Sequence, residues 1–113
     1  MTQTLDRIPP GTLDMLILKT LAPGLERHGF EIAEAIERGS RDVLQVEEGS
    51  LYPALQRMLI KGWIVGKWGR TVENRRARYY KLTALGRKQL ESEVAAYHRV
   101  TRAIAGIIGP ERA

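Results

Sequence analysis

Trp63-Ile64-Val65-Gly66-Lys67-Trp68, Gly69-Arg70-Thr71-Val72-Glu73-Asn74-Arg75-Arg76 and Ala77-Arg78-Tyr79-Tyr80-Lys81-Leu82 are the three consecutive runs that decide how this chain folds. The first and third are rich in aromatic and β-branched residues, the composition of strands. The middle run is polar and cationic and carries turn-forming Gly and Asn. Together they predict a β-hairpin with a basic tip. Trp63, Trp68, Tyr79 and Tyr80 interleave with the cations. They suit packing within the hairpin and core, with base stacking on single strands as the alternative.

Upstream of the hairpin the apolar spacing becomes helical. Leu13, Leu16, Ile17, Thr20 and Leu21 share one helix face after Pro9-Pro10-Gly11, with Thr12 as the N-cap and Pro23-Gly24 as the stop. A second helix follows Gly29 and runs to Arg38, with Ile32, Ala35 and Ile36 inward, a Glu34–Arg38 pair outside, and Gly39 as its C-terminal stop. Residues 43–46 suit a brief strand. A third helix starts around Gly49-Ser50 and ends at Lys61-Gly62, with Leu51, Leu55, Met58 and Leu59 as its buried stripe. Pro53 is compatible with it if it lies in the first helical turn, where no intrahelical N–H bond is lost. Downstream of the hairpin, Thr83 is an N-cap for a long helix to about Ile108. Leu90, Val94, Tyr97, Thr101, Ile104 and Ile108 recur there at heptad spacing, which predicts a dimer seam.

The formal net charge is +5, but its placement matters more. Residues 1–56 carry net −4, residues 57–88 net +9 and residues 89–113 net 0. Such a concentrated block is either a solvated cationic surface or the footprint of a polyanionic partner. The hydrophobic share of 43% is that of a globular chain, so the length supports one domain with a packed core. With no cysteine, disulfides, thiolate catalysis and sulfur-ligated zinc are excluded. No basic start leads into an apolar run, and no stretch approaches the roughly 18 apolar residues of a membrane span. The chain therefore reads as soluble and cytoplasmic, with no membrane partner.

Three helices followed by a hairpin with a basic tip is the order of a winged helix-turn-helix. The expected fold is mainly α with a small β-hairpin, plus a C-terminal dimerisation helix. Its parts are an N-terminal arm (1–10), a DNA-binding domain (11–82), the dimerisation helix (83–108) and a tail (109–113). The third helix offers Ser50, Tyr52, Pro53, Gln56 and Arg57 on the face its core stripe leaves free. Gln can pair bidentately with adenine and Arg with guanine, while capping the core edge is the alternative for Tyr52. Lys67, Arg70, Arg75 and Arg76 supply phosphate or minor-groove contacts. The expected partners are double-stranded DNA and a second copy of the chain. RNA or a protein partner is the alternative, although a protein-binding wing has little use for Arg70, Arg75 and Arg76.

An enzyme is not expected. His28 and His98 lie 70 positions apart, with no recognisable catalytic partner. Glu47-Glu48 is an adjacent pair better suited to shaping a turn than to converging on a substrate. There is neither a phosphate-binding glycine loop nor metal-ligand spacing, and no cofactor is called for.

Specific motifs add to this reading. Glu48-Gly49-Ser50-Leu51-Tyr52-Pro53-Ala54-Leu55, then Gly62-Trp63-Ile64, then Arg76-Ala77-Arg78-Tyr79-Tyr80-Lys81-Leu82-Thr83 and Gly86 resemble the PadR family of bacterial transcriptional regulators. His28-Gly29-Phe30-Glu31-Ile32 resembles that family's opening of the second helix. The likeness covers about residues 10–95, and the single helix after the hairpin is similar to the family's compact subgroup. The resemblance implies a homodimeric repressor on a pseudo-palindromic operator, relieved by a small-molecule effector or another cellular signal. Some drug-sensing members of the subgroup hold flat aromatic ligands between tryptophans that face each other across the dimer. Here the last helix has no tryptophan, and Tyr97 and His98 occupy that region.

Overall fold

The computed structural model describes residues 6–109, and side chains from Ile8 onward. The outer parts of the expected arm and tail, residues 1–5 and 110–113, lie outside the described residues. The elements run β1 (Asp6–Arg7), α1 (Leu13–Leu21), β2 (Arg27–His28), α2 (Gly29–Gly39), β3 (Leu44–Gln45), α3 (Glu48–Lys61), β4 (Ile64–Arg70), β5 (Arg76–Leu82) and α4 (Ala84–Ile108). The fold is that of a winged helix: four helices and a small antiparallel sheet.

The helices form where apolar spacing foretells them, but their ends obey different chemistry. Thr12 occupies the N-cap position of α1, yet its hydroxyl donates to the Pro9 carbonyl (2.7 Å) and caps nothing. The other end of α1 is closed from a distance. Arg27 Nε donates to the Thr20 carbonyl (3.1 Å) and Arg87 to the Ala22 carbonyl (2.9 Å), placing cations at the negative end of the helix dipole. A capping box opens α2: the Glu31 N–H donates to His28 Nδ1 (3.4 Å) and the His28 N–H to Glu31 Oε1 (3.1 Å).

α2 ends at Gly39, but not through a left-handed glycine. The chain turns left-handed at Arg41 and Asp42 instead, as the Asp42 N–H reaches back to the Glu37 carbonyl (2.8 Å) and the Arg41 N–H to that of Arg38 (3.0 Å). Pro53 likewise sits deeper than expected. Because α3 starts at Glu48, Pro53 is beyond the first turn, and the exposed Gly49 carbonyl forgoes its usual donor. Gly62 ends α3 at φ 77°, a left-handed conformation in which glycine carries no Cβ penalty.

The core draws on every larger element: Ile17, Leu18 and Leu21 from α1, Ile32 from α2, Leu55 and Met58 from α3, Ile64 and Tyr80 from the sheet, and Leu90 from α4. Ala54 replaces Leu59 in the buried stripe of α3, while Leu59 and Ala35 are only half-buried. The hairpin is longer and its turn tighter than the composition suggests, since Arg70 and Arg76 pair as the last strand residues and Trp63 stays outside β4. β5 is the central strand, with Arg27 and His28 of β2 pairing to Tyr80 and Tyr79 on its far side. The brief strand expected at 43–46 exists as β3, parallel to β1.

The first turns of α4 close the domain. Thr83 caps the helix by accepting from the Gly86 N–H (3.0 Å), and its hydroxyl donates to the Gly62 carbonyl (2.6 Å). Gly86 approaches the Trp63 backbone so closely that any Cβ would overlap the Trp63 carbonyl oxygen. Beyond Val94 the helix leaves the core. A compact domain of this length has a radius of gyration of about 13 Å, whereas this chain has 15.5 Å.

Candidate nucleic-acid interface

The recognition-helix candidates share a face. Ser50, Tyr52, Pro53, Gln56 and Arg57 are all exposed, opposite the buried Leu51, Ala54, Leu55 and Met58. This is what a 14-residue amphipathic helix does when only one stripe can reach the core. Two of these side chains have commitments inside the chain. The Tyr52 ring lies so close to Gly29, at the start of α2, that a Cβ there would stand 3.1 Å from it, yet the tyrosine remains 48% exposed. Tyr52 thus both borders the core and faces outward. The Arg57 guanidinium meets Asp14 Oδ1 of α1 at 2.9 Å.

The wing candidates divide between the two faces of the hairpin. Strand alternation and register put Trp68, Arg70, Arg76 and Arg78 on the face that begins with the buried Ile64, Leu82 and Tyr80. Lys67 points to the opposite face, beside Tyr79 and Lys81. Arg75 belongs to the turn, which is closed by Thr71 N–H to Arg75 carbonyl (2.8 Å) and by Asn74 in a left-handed conformation. Arg70 folds onto that turn, donating to the Asn74 carbonyl (3.2 Å).

Between α3 and the wing runs an open groove of about 950 Å³. Tyr52 and Gln56 form its α3 wall, and Trp68, Arg75, Arg76 and Arg78 its wing wall. The start of α2 adds His28 and Phe30, with Glu31 and Glu34 above them. Burial pushes the Tyr80 hydroxyl above its usual value of 10.0, and the nearby Arg78 guanidinium opposes the shift. A recognition helix and a cationic wing flanking one groove can hold a phosphate backbone between them, with base edges in reach of the helix.

Arg78 joins the groove without having been expected there from the sequence, and Trp68 joins it although hairpin and core packing was the preferred expectation, with base stacking as the alternative. Trp68 is 56% exposed and does not pack in the core: the Arg76 guanidinium stacks 4.3 Å from its ring centroid. Of its aromatic companions, Tyr80 is the one that is buried. The signal that could have found Arg78 is the i,i+2 alternation from Leu82 through Tyr80, which carries the core-facing side of β5 out to Arg78 and Arg76.

Comparison with known proteins bears on the same elements. The model of the transcriptional regulator PadR-like family matches residues 17–92. This chain belongs to the PadR-like family. A transcriptional regulator from Clostridium thermocellum superposes with a TM-score of 0.76 at 26% identity, over 85% of this chain and 92% of that one. A PadR family transcription regulator from Clostridium difficile superposes with a TM-score of 0.74 at 28% identity, over 88% and 100%. An uncharacterised protein of Lysinibacillus sphaericus is 30% identical over 94 residues, which span 83% of this chain and 85% of that protein.

As a PadR-like regulator, the chain falls in a family defined by transcriptional control rather than by enzymatic activity. The family match spans most of α1, all of α2 and α3, the wing and the start of α4. It ends just before the helix runs clear of the core. There the expected seam splits. Leu90 is buried and Val94 packs on the core, but Tyr97, Ile104 and Ile108 are exposed at 43%, 48% and 77%. Val100 and Ile107 widen this apolar stripe, while the Thr101 hydroxyl turns back to the Tyr97 carbonyl (2.9 Å). Among the described residues no helix is long and apolar enough to cross a membrane, and no cluster of three metal-ligating side chains occurs.

Proposed function

We propose that this PadR-like regulator is a cytoplasmic, homodimeric repressor that binds double-stranded DNA at an inverted-repeat operator and is released by a small-molecule effector. The observation that carries the DNA reading is the placement of the free face of α3 and the cationic wing on either side of one groove. Ser50, Tyr52, Pro53, Gln56 and Arg57 face base edges and the adjoining backbone, and Lys67, Arg70, Arg75 and Arg76 contact phosphates. Residues 11–82 act as the DNA-binding domain and residues 83–108 as the dimerisation helix, flanked by the arm and the tail.

Dimerisation is supported by the apolar stripe of Tyr97, Val100, Ile104, Ile107 and Ile108, which no part of the described chain covers. Stripes of this size in water usually mark an interface. A two-fold dimer sets two α3 helices about 34–36 Å apart, in successive major grooves, which requires an inverted repeat. Selection of bound duplexes from a random pool, followed by a shift assay with competitor RNA, tests the reading. Recovery of an inverted repeat that RNA does not displace is the expected result. Displacement by RNA, or no enrichment, would overturn it.

A further inference from the structure

Arg78 is held in a way that neither the core nor the turn of the hairpin requires. It lies mid-strand on β5, opposite Trp68 and on the same face as Gly66 of β4. Its side chain runs across Gly66, where a Cβ would overlap Arg78 Nε and crowd Cζ and Nη2 at 3.0 and 3.1 Å. Trp68 bounds it on the other side. The ring centroid is 6.0 Å from the Arg78 Cζ and 4.3 Å from that of Arg76. Arg78 Nε is buried with no hydrogen-bond partner, and no ion pair reaches either arginine among the described residues. Glu31, Glu34 and Glu73 line the same groove, but none comes within ion-pair distance of either guanidinium, so the two cations on one indole repel each other until an anion arrives. Both line the groove.

We propose that Gly66 and Trp68 form a seat that holds Arg78 beside Arg76 as a paired phosphate clamp, which makes Arg78 a further DNA contact and Gly66 and Trp68 positioning residues. The inference rests on the duplex-DNA reading above. Its chemistry is that of pre-organisation. Stacking on the Trp68 face leaves the N–H edges of Arg76 free to match a phosphate bidentately, while Arg78, whose Nε is buried, adds its terminal nitrogens beside them. The absent side chain of Gly66 lets the guanidinium lie along the strand. Ordering both arginines before DNA arrives removes an entropic cost from binding.

The test is anisotropy titration of a fluorescein-labelled mixed-sequence duplex across a salt series, with thermal unfolding of each variant alongside. Arg78→Gln should weaken binding and reduce the salt slope by about one. Gly66→Ala removes no charge, yet by displacing Arg78 it should weaken binding about tenfold and shift the slope in the same direction. Added to Arg78→Gln it should change nothing further, because both act through one side chain. Trp68→Leu should behave like Gly66→Ala, whereas Trp68→Tyr keeps an aromatic face and should stay within about threefold of wild type. If Gly66→Ala lowers the melting temperature sharply, the contrast between Trp68→Leu and Trp68→Tyr decides. Wild-type affinity and slope in Gly66→Ala and Trp68→Leu would overturn the clamp and leave the DNA reading standing. So would a loss from Gly66→Ala that persists undiminished in Arg78→Gln. A wild-type protein that ignores the duplex would overturn the DNA reading itself.

Discussion

Arg57 and Gln56 are neighbours on the exposed face of α3, but they are not equivalent. Arg57 is tied to Asp14, and both side chains keep contact with solvent. Exposed pairs of this kind are worth at most about 1 kcal/mol. Arg57→Ala is therefore expected to cost little stability by urea titration while removing one cation from the interface. Tyr52→Ala and Gln56→Ala should mainly erode preference for the operator over random DNA, each by the roughly 1–3 kcal/mol that a good base contact supplies. Arg75→Ala should weaken both equally. An unchanged specificity ratio in the α3 variants would remove that helix as the reader. Glu93 ties stability to pH. Burial pushes its carboxyl above the usual 4.5, the hydrogen bond with Gln89 opposes this, and Oε2 is buried without a partner. A carboxyl whose folded value is raised favours folding when protonated, and that contribution is lost as pH rises through the folded value. Glu93→Gln should thus raise the melting temperature at neutral pH, and the gain should shrink as pH falls toward 4.5.

Among the elements, α4 depends most on contacts made at its start. Thr83 joins its cap to the end of α3, and Gly86 lets its first turn lie on the Trp63 carbonyl. Thr83→Ala is expected to cost about 1 kcal/mol as a lost N-cap, somewhat more because the Gly62 carbonyl also loses its donor. Gly86→Ala should cost more than Thr83→Ala, although alanine favours helices, because a Cβ meets backbone that cannot swing aside. Chemical denaturation of the two variants checks the order. A Gly86→Ala protein as stable as wild type would show that α4 can shift without penalty.

The exposed half of α4 and the basic wing lie in different parts of the fold, yet a dimeric DNA reader couples them. Ile104→Asp would place an unpaired charge in the seam at a cost of several kcal/mol if it were buried there. The variant should sediment as a monomer or unfold, and lose operator binding although no DNA-facing residue has changed. A dimer with unchanged affinity would refute the seam. The net +9 carried by residues 57–88 should also make DNA affinity fall steeply between low and physiological salt.

Local patterns in the sequence were enough to determine the four helices, the hairpin and the family likeness. Apolar spacing over a few turns selects a helix and its inward face, and the runs flanking Gly69 to Arg76 suit strands whatever lies elsewhere. Distant neighbours decided the rest. Asp14 meets Arg57 across 43 positions of sequence, and Arg27 and His28 extend the hairpin to three strands because β5 offers them an unpaired edge. The helical period of α4 is continuous from Leu90 to Ile108, so periodicity alone could not divide its buried start from its exposed end. That division follows from where the core runs out. Arg78 reads as one more strand cation until the register sets it over Gly66 and beside Trp68. Spacing along one strand constrains which face a side chain takes, but what it meets there depends on a second strand whose alignment is fixed only when the hairpin closes on the core.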